Sequence, residues 1–450
     1  MNATEVLAAV DSGGIELIRL DYVDWGGLLR GRTVSRDHLA SALESGIGSA
    51  QTNLTIGVDD HEANPAMGAH TGDVWYAPDP TTYVALPWVS GYAHMFVDVV
   101  DADGQPWFGD PRDALRRMAA QATAELGTVR LGYEQEGHLL RRDGDRFVKA
   151  FNTRVFLADF ADVLPTFFVE MTRALRALGT PLEKFTMEAP HGMPELNVRY
   201  DDALPAADAH ARFKLAFRAI ARQHGFVGSF MPKPFEDMPG AGCHVHVSVA
   251  DAEDGADRFA NADDARGLGL SSTAYHFLGG LLEHADALSA IGSPTVNSYK
   301  RLQPGAWAPS VKGYGLGNRS AMVRVVEHRT SLGASGRGAA RLELRSPDGT
   351  ANSYLLGAAI IACGLDGVRR KLDPGEPSGV DFGHLTDWAT APLLPRSLDR
   401  ALDALECDDA LRSALGSRLL EGYVNTKRQE WQAFSRAVTD WEQRTYAEFF

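Results

Sequence analysis

The sequence predicts an α+β protein of two domains, and three observations carry that prediction. The chain has 450 residues, more than one compact core ordinarily holds. Its first hundred residues are rich in strand and turn signals. Beyond them, helical patterns alternate with short strands in which charged and apolar residues alternate with a period of two. The boundary is placed so that residues 1–105 form the smaller domain and 106–450 the larger.

The elements follow in order. Residues 15–20 read as a strand that runs to Trp25-Gly26-Gly27, a turn signal, and residues 28–32 return as its hairpin partner. Val97-Asp98-Val99-Val100 is a strand leading into the turn Asp101-Ala102-Asp103-Gly104. Asp110 as N-cap, Pro111 at the first helical position and Gly127 beyond the last periodic residue bracket a helix. Residues 162–178 and 352–365 also read as helices. Residues 208–224 place Phe213, Phe217 and Ile220 on one helical face and stop at Gly225. Residues 426–449 read as a final helix anchored by Trp431, Phe434 and Trp441. The chain shows no internal repeat and no low-complexity tract.

Composition removes several classes of function. A net charge of −15 argues against nucleic acid as the main partner, because a phosphate backbone demands a basic surface. The three cysteines have no zinc-site spacing, and so sparse a count fits a reducing cytoplasm. No basic-then-apolar leader opens the sequence, and the apolar run around 355–365 is too short to span a bilayer. A cytoplasmic protein without membrane association is expected.

Three of the strands carry an unusual set of charges. Alternate residues of a strand share a face. Tyr133-Glu134-Gln135-Glu136 therefore puts two Glu on one side. Cys243-His244-Val245-His246-Val247-Ser248 does the same for two His, and Arg341-Leu342-Glu343-Leu344-Arg345 for Arg, Glu and Arg. Glu188 and Glu195 flank Pro190, Gly192 and Pro194, which reads as a rigid loop able to aim both carboxylates at one cation. Pro239-Gly240-Ala241-Gly242 is a glycine-rich turn before the histidines, and Arg301 and Arg319 stand in loop-like contexts. Each cluster alone has a plainer reading as a solvated edge strand, a pair of core histidines or a salt-bridge ladder. Together they describe a floor for divalent metal and phosphate: carboxylates suit Mg²⁺ or Mn²⁺, and arginines suit the phosphates such ions accompany.

In this order the clusters resemble the glutamine synthetase family, type I lineage. The matching text is Gly132 to Glu136, Glu188 to Glu195, Phe230-Met231-Pro232-Lys233-Pro234, Gly242 to Ser248, Asn297 to Gly305, Asn318-Arg319-Ser320 and Arg341 to Asn352. The similarity runs from Asp24-Trp25-Gly26-Gly27 to Trp441-Glu442. The resemblance implies an N-terminal β-grasp domain and a C-terminal catalytic α/β domain with a curved antiparallel sheet. It implies ring oligomers, usually two stacked hexamers forming a homododecamer, with each active site shared between neighbours. By position, one ion would be held by Glu136, Glu188 and Glu195, and the other by Glu134, His244 and Glu343. His246, Ser248, Arg324 and Arg341 match ATP-contacting positions. Gly240, His244, Arg301 and Arg345 match positions around glutamate, and Arg319 joins Arg301 and Glu343 in the catalytic set. The implied reaction phosphorylates the γ-carboxylate of glutamate with ATP, and a nitrogen nucleophile then displaces phosphate.

The sequence departs from the family at the nitrogen end. The family usually reads Pro-Gly-Tyr-Glu-Ala-Pro where this chain has Pro304-Gly305-Ala306-Trp307-Ala308-Pro309, so Trp307 replaces the Glu that deprotonates ammonium. The family's Phe-Asp-Gly-Ser-Ser stretch is not recognisable near Asn53 to His61, Met193 stands for a usual Gln, and Pro239 for a usual Asn. Ammonium needs anionic groups beside it, whereas tryptophan offers an apolar wall and a π-face. An organic amine is therefore expected as the nitrogen donor. An alkylammonium would sit on Trp307 and lose its proton to another group, with Asp59, Asp60 and His61 as candidates. A weakly basic aromatic amine would need no base. Ordinary glutamine synthesis from ammonia is the alternative. A non-catalytic relative is a third reading, which the intact set of six metal-ligand positions disfavours. The tyrosine that carries a nucleotide in some relatives has no counterpart in 381–394.

Overall fold

The computed structural model describes residues 1–60, 67–68, 70–326, 340–385 and 387–450. The N-terminal part is a six-stranded sheet in the order Leu29–Ser35, Leu17–Val23, Tyr92–Val100, Asp73–Pro78, Ile47–Ala50, with Val84–Ala85 pairing with Tyr92–Val100. Leu17–Val23 runs parallel to Tyr92–Val100, and the other pairs are antiparallel. The expected hairpin is present, with Val23 opposite Leu29. Its turn needs Gly27: φ there is +85°, and a Cβ would meet Thr350 O at 2.3 Å. Ala3–Ser12 and Arg36–Ser45 are the helices of this part, the first closed by a capping box between Asn2 and Glu5.

The larger part is built on a sheet in the order Leu182–Ala189, Met193–Val198, Thr128–Glu136, Cys243–Ala250, Leu342–Leu344, Val323–Val325, Tyr314–Leu316. All neighbours are antiparallel except the last two, which are parallel. One face is apolar and packs on helices; Val129, Leu131, Tyr133, Val245, Val247, Leu342 and Leu344 are buried. The helices Pro111–Glu125, Ala203–Gln223, Ser272–Glu283 and Ser353–Arg370 form that layer. Asp110 caps the first through Arg112 N–H and Asn352 caps the last through the N–H groups of Tyr354 and Leu355.

The two parts share one apolar core, which runs from Val6 and Ile18 to Leu355 and Val424. Arg112 ties them electrostatically, reaching Asp98 at 2.6 Å, Asp79 at 2.8 Å and Asp208 at 2.9 Å. Trp25 Nε1 donates to Gly109 O, and Asn352 Nδ2 donates to Asp24 O, both at 2.8 Å.

Three expectations are corrected. Residues 188–195 are not a free loop: the strands Leu182–Ala189 and Met193–Val198 form a hairpin, turned by His191 at φ 66° and Gly192 at φ 103°. Pro194 is accommodated because its carbonyl, not its absent N–H, makes the inner bond, accepting from Gly137 N at 3.2 Å. Residues 162–178 break at Leu164, where Pro165 opens a new helix. The C-terminal segment is two helices, Ser417–Arg436 and Asp440–Tyr446, the second started by a capping box of Thr439 and Glu442. Among the described residues, no helix is long and apolar enough to cross a membrane.

Candidate active site

The polar face of the larger sheet gathers the charged residues, and register does the gathering. Glu195 lies opposite Glu136, His244 opposite Glu134, and His246 and Arg324 on either side of Glu343. Directly opposed residues of antiparallel strands point to the same face. Glu188 sits at a register shift between Met187 and Ala189, a bulge that leaves it without a cross-strand partner at the edge of the same face.

The side chains meet in two groups. In the first, His244 Nδ1 lies 3.1 Å from Glu134 Oε2 and 3.3 Å from Glu343 Oε1. His246 Nε2 lies 2.9 Å from Glu134 Oε1, and Arg341 Nε donates to His246 Nδ1 at 3.3 Å. Glu343, fully buried, accepts from Arg324 Nη1 at 2.7 Å and from Arg345 Nη1. Ligand atoms of Glu134, His246 and Glu343 all lie within 4.8 Å of one another. His246, expected on the nucleotide side, thus stands as close to Glu134 as His244 does, and within 4.8 Å of Glu343. The second, Glu136, Glu188 and Glu195, is looser: among the described residues its carboxylates do not share the close mutual approach of the first group, though they are near enough to act on one another electrostatically. Glu136 Oε2 accepts the Gly242 N–H at 2.6 Å.

These groups differ electrostatically. Burial opposes the charge on Glu134, but hydrogen bonds from His244 and His246 outweigh it and hold its carboxyl well below the usual range. Glu343 is likewise held down, because His244 and Arg345 overcome its burial. Glu195 is pushed up to about 8, first by burial and then by Glu134, Glu136 and Glu188. Glu188 is raised by burial and by Glu136 and Glu134. The second group is a surplus of carboxylate with too little positive charge beside it. A divalent cation relieves such a surplus, and an oxygen-rich set with one imidazole fits Mg²⁺ or Mn²⁺.

The remaining predicted residues are placed as follows. Ser248 is half-buried on the same strand as the histidines, two steps beyond His246. Arg345 Nε donates to Arg319 O at 2.8 Å, while the Arg319 side chain is exposed. Arg301 is buried, and its guanidinium donates to Ser346 O at 2.8 Å, Pro347 O at 3.2 Å and Arg345 O at 3.0 Å. Gly242 makes this possible, since a Cβ there would meet Arg301 Nη2 at 2.6 Å. Gly240 and Trp307 line a cleft of about 150 Å³ with Lys233, Met238, Pro239 and Arg301. Trp307 itself is 93% exposed. Met193 is buried in a small apolar plug with Ala189 and Ala241. Asp59 and Asp60 are exposed residues of the N-terminal part and do not line this cleft in their own chain; Asp60 pairs with Arg30 at 3.2 Å. His61 lies outside the described residues.

Two site residues escaped the sequence reading. Asn197 lies opposite Glu134, and its buried Oδ1 has no hydrogen-bond partner. The alternation of Glu195 and Asn197 was its signal. Lys233 lies in the Trp307 cleft, inside a matching segment, with nothing in its spacing to mark it.

Comparisons with known proteins agree with this geometry. The profile described as the glutamine synthetase N-terminal domain matches residues 1–107, and that of the glutamine synthetase catalytic domain matches 108–446. A glutamine synthetase of Halobacterium salinarum is 36% identical, covering 100% of this chain and 97% of the relative. A glutamate–methylamine ligase of Methyloversatilis universalis is 34% identical, with 100% of both chains covered. A solved structure described as a GmaS/ADP complex superposes with a TM-score of 0.88 at 34% identity, covering 98% of this chain and 99% of that one. Ligases of this kind use ATP and divalent metal ions. With two matched domains, the shared fold and a carboxylate–histidine floor, the chain belongs to the glutamine synthetase family and is an ATP-dependent carbon–nitrogen ligase.

Proposed function

We propose that this ligase joins the γ-carboxylate of glutamate to an organic amine through a γ-glutamyl phosphate. One observation carries the reading. The cleft at Trp307 is lined by Lys233, Met238, Pro239, Gly240, Arg301, Ala306, Trp307 and Ala308, and among the described residues no Asp or Glu lines it. Ammonium would find no anion there to replace its water or take its proton. An organic amine gains apolar contact with Met238, Pro239 and the indole.

The roles follow from position. Glu136, Glu188 and Glu195 would hold one divalent cation, and Glu134, His244 and Glu343 the other, with His246 alongside. Bound there, the ions neutralise phosphate charge. His246, Ser248, Arg324 and Arg341 line the nucleotide side. Arg301, Arg345 and Gly240 hold glutamate, and Arg319 meets the phosphoryl group in flight. The γ-carboxylate oxygen attacks the γ-phosphorus of ATP and ADP leaves. The amine nitrogen then attacks the acyl carbon, loses a proton, and phosphate leaves with the carbonyl restored.

The same reading has the subunits assemble as stacked hexameric rings. The exposure of Trp307, Trp441, Phe449 and Phe450 in the single chain supports contact with further copies. Glutamine synthesis from ammonia is the second reading, favoured by the many glutamine synthetases among the relatives. A panel of alkyl and aromatic amines, assayed with ATP and glutamate for phosphate release, decides between them. Turnover with ammonium equal to or above that with every organic amine removes the amine reading.

A further inference from the structure

A second cleft lies on the reverse of the catalytic sheet, where the helix Ala203–Gln223 meets the N-terminal hairpin. Its walls carry Arg19, His210, Lys214 and Arg218 and, among the described residues, no Asp or Glu. Arg19 pairs with Asp21 at 2.7 Å. Lys214 and Arg218 have no carboxylate partner among the described residues. Lys214 Nζ donates to Gly27 O at 3.4 Å, and both cations stand 5.6 Å from the centroid of the Phe230 ring. Burial, with Arg218 acting in the same direction, pushes the Lys214 ammonium down to about 8. In a chain of net charge −15, three cations line this cleft, and among the described residues only Arg19 has a carboxylate within salt-bridge distance, while Asp348 and Asp24 act on Lys214 from farther off. Desolvated charge is costly unless an opposite charge meets it.

We propose that this interdomain cleft binds a small dianion, an inorganic oxyanion or a short dicarboxylate, between Arg19, Lys214 and Arg218. The arrangement also gives the anion a path to the active site. The His210 ring lies 4.9 Å from the Tyr133 ring, and Tyr133 OH donates to Ser353 O, a residue of the cleft, at 2.9 Å. Tyr133 immediately precedes Glu134. A dianion bound there is thus linked, through His210 and Ser353, to the back of the strand whose front holds the metal-site carboxylate, and it bridges the two domains.

Isothermal titration of the full chain with inorganic phosphate, and separately with malonate, tests the site. Phosphate also suits the nucleotide-side arginines, so Arg341→Ala is titrated in parallel. The expected result is binding that persists in Arg341→Ala and weakens at least about tenfold in Lys214→Met and Arg218→Gln. Tighter phosphate assigns an oxyanion site, and tighter malonate a dicarboxylate site. The proposal is overturned if neither ion binds the wild-type chain at about 10 mM, or if both variants bind as tightly as wild type, or if the loss is confined to Arg341→Ala. Arg218 stands at the exposed mouth, so its variant folds whether or not that of the half-buried Lys214 does.

Discussion

Glu195 and Glu136 face each other directly across two antiparallel strands. Like charges in that position repel, and the arrangement is sustained by a ligand that takes both. Glu195→Gln keeps the shape and removes one charge. The variant is expected to be at least as stable as wild type in chelator, and to lose about tenfold or more in Mn²⁺ affinity. Melting curves with increasing Mn²⁺ read both quantities. Full retention of the metal-dependent rise would show that Glu195 is not a ligand.

Trp307 stands in a cleft without an acid. Trp307→Glu supplies one. The ratio of kcat/KM for ammonium to that for the best organic amine is expected to rise about tenfold or more, since a placed general base contributes at least that much. An unchanged ratio in steady-state assays would mean that selection of the nitrogen donor lies elsewhere.

Arg112 is buried among Asp79, Asp98 and Asp208 at the junction of the two parts. Arg112→Met removes the cation and leaves the buried Asp208 with the Tyr354 hydroxyl, at 2.7 Å, in place of an ionic partner. The expected cost is about 3–5 kcal/mol of unfolding free energy, the usual penalty for breaking a buried ionic cluster from one side. Urea denaturation measures it, and a cost near zero would mean that water reaches the cluster.

His284 sits between Asp366 at 2.9 Å and Asp408 at 2.7 Å. Burial opposes its charge, but the two carboxylates outweigh it and raise its pKa above 6.5. A group bound more tightly to its proton when folded stabilises fully below the unfolded pKa, and that stabilisation fades as pH rises through the folded value. Stability should therefore decline above pH 6.5 in wild type. His284→Asn should show a shallower decline, the part due to Glu195, itself raised to about 8, remaining in both proteins. Denaturation midpoints measured in steps from about pH 6 to pH 9 test the sign.

Much of the catalytic floor was legible because its strands put ionisable residues at every second position, and period two survives any tertiary context. Glu134, Glu136, His244, His246 and Glu343 were found in this way, and they do share a face. Register was not legible, because it is fixed by pairing between segments distant in the chain. Hence Asn197 opposite Glu134, and His246 close beside Glu343, emerged only from the structure. The hairpin at 188–195 was hidden by its prolines, which punctuate loops and tolerated strand positions alike. The C-terminal break was written in Thr439 and Glu442 but masked by aromatic anchors on both sides of it. The helix Ser353–Arg370 outran its expected end because Asp366 and Gly367 interrupt the apolar run without interrupting the backbone.

The guanidinium of Arg301 spends its donors on the carbonyls of residues 345, 346 and 347. Those three bonds take both Nη1 hydrogens and one on Nη2, and leave the Nε hydrogen and the second on Nη2 for a further acceptor. The main chain thus acts as a bracket that fixes the plane of the guanidinium: a carboxylate arriving there would meet donors already aimed, and a shift of residues 345–347 would re-aim them.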